Sequence, residues 1–208
     1  MQDNSTREKI LKAALDLFSQ KGCAATGIDE IAESIGMKGP NIYKYFKGKE
    51  AIFEELCYFP DQEYNTNMLI DSPFPRFVSN GEELKLFSLR QLKFTMGDDF
   101  AVKQRKMLAI EQFRNKELAE RATKFQYDNM VEQFKSIFAR MMENGVLEKS
   151  NPEMLALEYM APTSLLIQIC DRHPERKEEI MKKIEEHIDY FISKNFNVGK
   201  KSKLLKKK

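Results

Sequence analysis

Histidine occurs twice in 208 residues and cysteine three times, and this scarcity removes most metal and nucleophilic chemistry. His173 and His187 have no Cys or His neighbours at metal-ligand spacing, and the chain has no G-x-G-x-x-G, P-loop or G-x-S-x-G pattern. Carboxylates are plentiful but fall on the solvated faces of helical patterns. We therefore expect no catalytic residue, no metal site and no cofactor. Cys23, Cys57 and Cys170 are odd in number and far apart, which fits inert thiols in a reducing cytoplasm rather than a disulfide framework. No apolar run reaches the ~18 residues of a membrane span. The first residues, Met1 to Asn4, offer neither the basic nor the apolar stretch of a secretory leader. Glycine (9) and proline (7) are also scarce, and no two-residue alternation persists. Strand-rich folds are thereby excluded, and an all-α chain is expected.

What is present is a hydrophobic content of 42% and a charged content of 32%, as in a soluble globular protein. The net charge of +2 is unevenly spread, because Lys200 to Lys208 holds six lysines and no acid, leaving residues 1–199 at −4. Bulk charge does not mark a nucleic-acid binder. A local patch does: residues 36–49 carry Lys38, Lys44, Lys47 and Lys49 without a carboxylate.

The 3.6-residue periodicity begins near Ser5, where Ser5-x-x-Glu8 has capping-box spacing. A first helix with the stripe Ile10, Leu11, Ala14, Leu15, Leu17 and Phe18 then runs to Gly22. A second buries Ile28, Ile31, Ala32 and Ile35 and stops at Gly36, which supplies a left-handed turn. A third runs from Gly39 to about Phe46 with Pro40 in its first turn, and a fourth follows Gly48 through Ile52, Phe53 and Leu56. Small Ala32, then Gly36, with Ile42, Tyr45 and Phe46 beneath, are the interior of a helix-turn-helix. Its second helix is too polar and aromatic outside for packing alone, and such a face suits the major groove of DNA.

On these residues, from Ala13-Ala14 and Phe18 through Gly22, Thr26, Ile31-Ala32, Gly36, Ile42-Tyr43, Tyr45-Phe46 and Lys49-Glu50, the chain resembles the TetR family of transcriptional regulators. The resemblance implies a three-helix DNA-binding domain at 4–57, with its helix-turn-helix at 27–46. A larger helical effector-binding and dimerisation domain would follow at 58–196, and a basic tail at 197–208. It implies that Thr26 touches a phosphate, or caps its helix, and that Tyr43 and Tyr45 donate hydroxyls to phosphates while their rings pack inward. Lys49 would contact the DNA backbone. The recognition segment departs from the family habit at Lys38, Pro40 and Asn41, and Gly27 stands where a capping hydroxyl is common. With Gly39 and Lys44, those three positions complete the candidate DNA-binding set. Asn41 has the chemistry for a bidentate contact to adenine, and Lys38 or Lys44 for guanine or phosphate.

Beyond an irregular stretch at 57–81, long helices are expected at about 82–96, 99–113, 116–143, 152–171 and 174–196. Phe94, Met107, Phe113, Tyr127, Met130, Phe134 and Tyr159 are candidate linings for a small apolar or amphipathic effector, soft side chains suiting an adaptable cavity. Met154 to Cys170 holds a single charge, Glu158, so this helix is expected to be covered on more than one side. Leu165, Ile169, Ile180, Ile184, Ile188 and Phe191 are the candidate homodimer interface, with Pro162 expected to kink the helix. The function so implied is a cytoplasmic repressor acting as a homodimer on a pseudo-palindromic operator in double-stranded DNA, released by its effector, with no membrane role. The alternative is a DNA-binding regulator controlled by a protein partner. The lysine tail is read as a disordered end that either adds nonspecific DNA affinity or only solubilises.

Overall fold

Gly22 takes a positive φ of 83°, a backbone state that side chains resist, and there the first helix ends. The computed structural model describes residues 2–58 and 78–197. Every regular element among them is a helix. These are α1 (Gln2–Lys21), α2 (Ile28–Ser34), α3 (Gly39–Ile42), α4 (Lys49–Tyr58), α5 (Gly81–Gly97), α6 (Asp99–Glu111), α7 (Lys116–Thr123), α8 (Asn129–Glu143), α9 (Pro152–Arg172) and α10 (Lys177–Asn195). A π-helical turn, Lys124–Asp128, joins α7 to α8, and a 3-10 turn, Pro174–Arg176, precedes α10. No described helix is long and apolar enough to cross a membrane.

The described residues fall into two compact units, 2–58 with 97–123 and 78–96 with 124–197. The first unit is built on α1, whose Ile10, Ala14 and Phe18 are fully buried with Ile31, Ala32, Ile42, Ile52 and Leu56. Helix α6 adds Met107 to that core and α7 adds Leu118. Lys103 fastens α6 to α1 through Asp16 at 2.6 Å, and the Gln104 amide donates to the Leu56 carbonyl at 2.7 Å. This division departs from the sequence-based boundary after residue 57: two helices assigned to the later domain pack into the core of the first.

The second unit closes around aromatic rings. Tyr159 lies 4.8 Å from Phe191, 4.9 Å from Phe134 and 5.6 Å from Phe138, centroid to centroid. Burying one such side chain stabilises by about 1.5–3 kcal/mol, and these rings come from three helices. Helix α8 buries Val131, Phe134, Ile137, Phe138 and Met141 along one side. Helix α10 turns Ile180, Ile184, Ile188 and Phe191 into the same core. Lys85 of α5 spans to Glu185 and Asp189 of α10 at 2.9 and 2.8 Å. Helix α9 starts on Pro152 with Asn151 accepting from the Glu153 and Met154 N–H groups, and it runs unbroken through Pro162.

Several expectations change. Helix α1 already begins at Gln2, so Ser5 lies within it and the Ser5-x-x-Glu8 pattern does not cap its start. The expected helix 116–143 is two helices separated by the π turn. Of the stretch expected to be irregular at 57–81, residues 59–77 lie outside the described residues, as does the lysine tail from 198.

Candidate nucleic-acid interface

Helix α2 lacks a side-chain cap, its N-cap being Gly27, but Asp29 and Glu30 in the first turn suit the positive end of the helix. It ends in a complete Schellman turn: Met37 N–H donates to Ala32 O at 2.8 Å and Gly36 N–H to Glu33 O at 3.0 Å. Gly36 has the required φ of 69°. Ile31 and Ala32 face inward with no exposure, which sets how closely the next helix crosses.

That helix, α3, opens on Lys38 without a side-chain cap and has Pro40 near its start, where a missing N–H is harmless. Gly39 is fixed by its neighbour: a Cβ there would lie 1.8 Å from Asp29 Oδ1. Regular α geometry stops at Ile42, not at the expected Phe46. The next residues tighten, with Tyr45 N–H donating to Ile42 O at 2.9 Å and Phe46 N–H to the same carbonyl at 3.0 Å. Ile42 and Phe46 remain buried. Arg7 of α1 covers the Phe46 ring with its guanidinium 4.7 Å from the centroid while pairing with Glu55.

The outer face then presents Lys38, Pro40, Tyr43, Lys44 and Lys47, all exposed, with Tyr43 at 59%. Lys38, Lys44 and Lys47 hold no ion pair among the described residues. Asn41 is half-buried at the edge of the face, and Gly39 is buried beneath it. Tyr45 is half-buried against the core, whereas the ring of Tyr43 points to solvent rather than inward. The cluster of cations and one phenol is the local patch the sequence marks. Lys47 completes it, one turn after Lys44, though it was not among the candidate contacts.

Two expected phosphate contacts are placed otherwise. Thr26 is 1% exposed and its hydroxyl donates to Gly22 O at 2.8 Å, so its side chain faces the interior. Lys49 Nζ donates to three carbonyls, Cys23 and Thr26 at 2.9 Å and Ala24 at 3.1 Å. An ammonium has three protons, and this loop takes all of them. The Cys23 peptide is also held from its other side, its N–H donating to Glu111 Oε1 at 2.9 Å. Burial pushes the Cys23 thiol up to about 11, against a partial opposing pull from Lys49, and the Cys57 thiol up to about 12.

In the second unit the candidate effector residues divide. Phe134 and Tyr159 are buried in the aromatic cluster, and Met130 packs against it half-buried. The Tyr159 hydroxyl meets Ser88 Oγ at 2.7 Å, and burial holds its pKa above the usual phenol range. Phe94 is half-buried on α5. Met107 belongs to the core of the first unit, and Phe113 and Tyr127 are 88% and 46% exposed. A surface groove of about 430 Å³ lies instead between Leu147–Ser150 and Lys194–Asn197. Of the candidate dimer residues, Ile180, Ile184, Ile188 and Phe191 are 0–2% exposed inside their own unit. The seam of α10 covers the chain's own core, which leaves it unavailable to a second copy. Leu165 is 56% exposed and Ile169 half-buried on α9.

The described residues are all helical, with the complete interior of a helix-turn-helix and a cationic outer face, the architecture of the helix-turn-helix class of DNA-binding proteins. Residues 10–56 match the family model described as bacterial regulatory proteins, tetR family. The uncharacterized HTH-type transcriptional regulator YerO of Bacillus subtilis (strain 168) is 41% identical over 56 residues, 27% of this chain and 19% of that protein. The biofilm operon icaADBC HTH-type negative transcriptional regulator IcaR of Staphylococcus aureus (strain Newman) is 35% identical over 66 residues, 31% and 34% of the two chains. The matched part thus spans 19% and 34% of these relatives' own length. Over the whole fold, the structure of SmeT, repressor of the Stenotrophomonas maltophilia multidrug efflux pump SmeDEF, superposes with a TM-score of 0.66 at 18% identity, covering 96% of this chain and 94% of that one. The SmeT–triclosan complex gives 0.69 at 17%, covering 94% and 93%. Residues 10–56 are thus similar to bacterial regulatory proteins of the tetR family, and the likeness over the whole chain, below 25% identity, is one of fold.

Proposed function

We propose that this protein is a cytoplasmic, sequence-specific transcriptional repressor that binds double-stranded DNA as a homodimer and leaves its operator when a small apolar or amphipathic effector binds. The observation that carries the reading is the exposed set Lys38, Tyr43, Lys44 and Lys47 on a helix-turn-helix whose interior is complete. Lysines without ion-pair partners on one face are positioned for phosphates, and Asn41 and Lys44 for base edges. Two such faces must sit about 34 Å apart to enter successive major grooves, hence a dimer and a pseudo-palindrome.

The dimer surface in this reading is the outer row of α9, Met154, Ala161 and Leu165 with Ile169, since two of the large apolar side chains there are more than half exposed. The second unit is the effector body. Phe134, Tyr159 and Met130 form its apolar wall, and Ser88 and Gln91, both buried and polar, are the anchors an amphipathic molecule would use. The triclosan complex of SmeT supports a small-molecule effector for this fold. An effector that favours the DNA-incompetent state by about 1–3 kcal/mol would change operator affinity roughly 5–150-fold.

The test is selection of duplexes from a random-sequence pool, followed by light scattering of the complex. The expected result is an inverted-repeat consensus bound by two chains. A selected pool without a consensus, or one chain per duplex, refutes it. A thermal-shift screen of amphipathic aromatics separates effector control from control by a protein partner, which predicts no stabilising compound.

A further inference from the structure

The loop that leads into the helix-turn-helix is gripped by two opposite charges, and neither belongs to the helix-turn-helix. Glu111, in the last turn of α6, is only 8% exposed. A carboxylate is poorly placed there, because the carbonyl end of a helix is already negative and burial of a charge is costly without partners. Its contacts are the Cys23 N–H at 2.9 Å and a loose 3.7 Å approach to Arg114. On the other side of the same loop, Lys49 Nζ of α4 holds the carbonyls of Cys23, Ala24 and Thr26. The Cys23 residue therefore donates to a carboxylate and accepts from an ammonium, and each charge-assisted bond polarises the other. Gly22 is fitted to this arrangement: besides its positive φ, a Cβ at that position would lie 2.6 Å from Glu111 Oε1.

We propose that Glu111 and Lys49 form a clamp on residues 22–26 that positions the helix-turn-helix for DNA, with Lys49 acting on the protein's own backbone rather than on a phosphate. The inference rests on the DNA-binding reading above. Glu111 touches no DNA in it and is a positioning residue. The clamp makes α6 the support of the loop, so DNA affinity depends on a side chain 88 residues from its partner.

The test uses the full chain, the duplex that the wild type selects, and four proteins: wild type, Glu111→Ala, Glu111→Gln and Lys49→Met. Glu111→Ala is expected to weaken DNA binding by at least about fivefold, the low end of couplings between sites. It should also speed exchange of the Cys23 amide by about tenfold, as loss of one bond to a charged acceptor implies. Glu111→Gln keeps an oxygen acceptor without the charge and should restore both in part. Lys49→Met should weaken binding with no change in the salt slope, and Glu111→Ala with Lys49→Met should lose less than the product of the single losses. A Lys49→Met slope lowered by about 0.9 makes Lys49 a phosphate contact and overturns the clamp. So does a Glu111→Ala protein that melts lower yet keeps its Cys23 amide protected, which makes Glu111 a packing residue. A wild type that selects no duplex overturns the regulator reading and the clamp's purpose with it, whereas a duplex bound equally by Glu111→Ala overturns the clamp alone.

Discussion

Single side chains of this protein often do something other than their type advertises. Tyr159 packs its ring in the aromatic cluster while its hydroxyl meets Ser88 Oγ at 2.7 Å. Tyr159→Phe leaves the Ser88 hydroxyl buried without that partner, and chemical denaturation should show a loss of about 1–3 kcal/mol. The thiols are legible from sequence as inert, and the structure gives the reason in burial. With Cys23 raised from 9.0 to about 11, the unfolded chain ionises first, so stability present below pH 9 should fall between pH 9 and 11. Cys57, raised to about 12, extends the loss upward. A urea midpoint series across that range, repeated on Cys23→Ala and Cys57→Ala, checks it; a flat profile in the wild type refutes it. Iodoacetamide at pH 7.5 should leave both unlabelled until the protein is denatured. What no sequence rule offered was Glu111: its partner is a backbone N–H, and backbone groups leave no mark in a residue pattern.

Among the elements, those with a long apolar stripe were read closely. Helix α5 was expected at 82–96 and runs Gly81–Gly97, and α9 was expected at 152–171 and runs Pro152–Arg172. The errors sit where backbone hydrogen bonding changes type without a Gly or Pro to announce it. Lys124–Asp128 switches to π spacing inside a sequence of ordinary helix formers, and α3 gives way to tight turns after Ile42. The recognition segment still presents 40, 43, 44 and 47 on one side, because 3.0 and 3.6 residues per turn differ little over two turns. Two substitutions separate its duties. Lys44→Ala should weaken every sequence and lower the salt slope by about 0.9. Asn41→Ala should cost about 1–3 kcal/mol on the selected duplex and little on a scrambled one. Equal losses of Asn41→Ala on both duplexes remove its base-reading role.

For the whole molecule, the periodicity of α10 is legible in the sequence and the surface it packs against is not. A stripe of Ile180, Ile184, Ile188 and Phe191 tells which face is buried and not against what; here it is the chain's own aromatic core. In the proposed homodimer the exposed row of α9 makes the contact, so Leu165→Glu should shift the light-scattering mass from a dimer to the 24.3 kDa chain and abolish binding to the paired half-sites. Ile184→Glu should instead unfold the second unit. The membership of α6 and α7 in the first unit has a practical consequence for anyone building hybrid regulators. A splice after residue 57 looks natural from the motif, but it would strip Met107, Leu118, Gln104 and Glu111 from the module being transplanted. The portable cassette is discontinuous, residues 2–58 together with 97–123. A chimera made at the obvious seam should therefore deliver a DNA-binding head with an open flank and an unsupported reading loop, whatever sensor it is joined to.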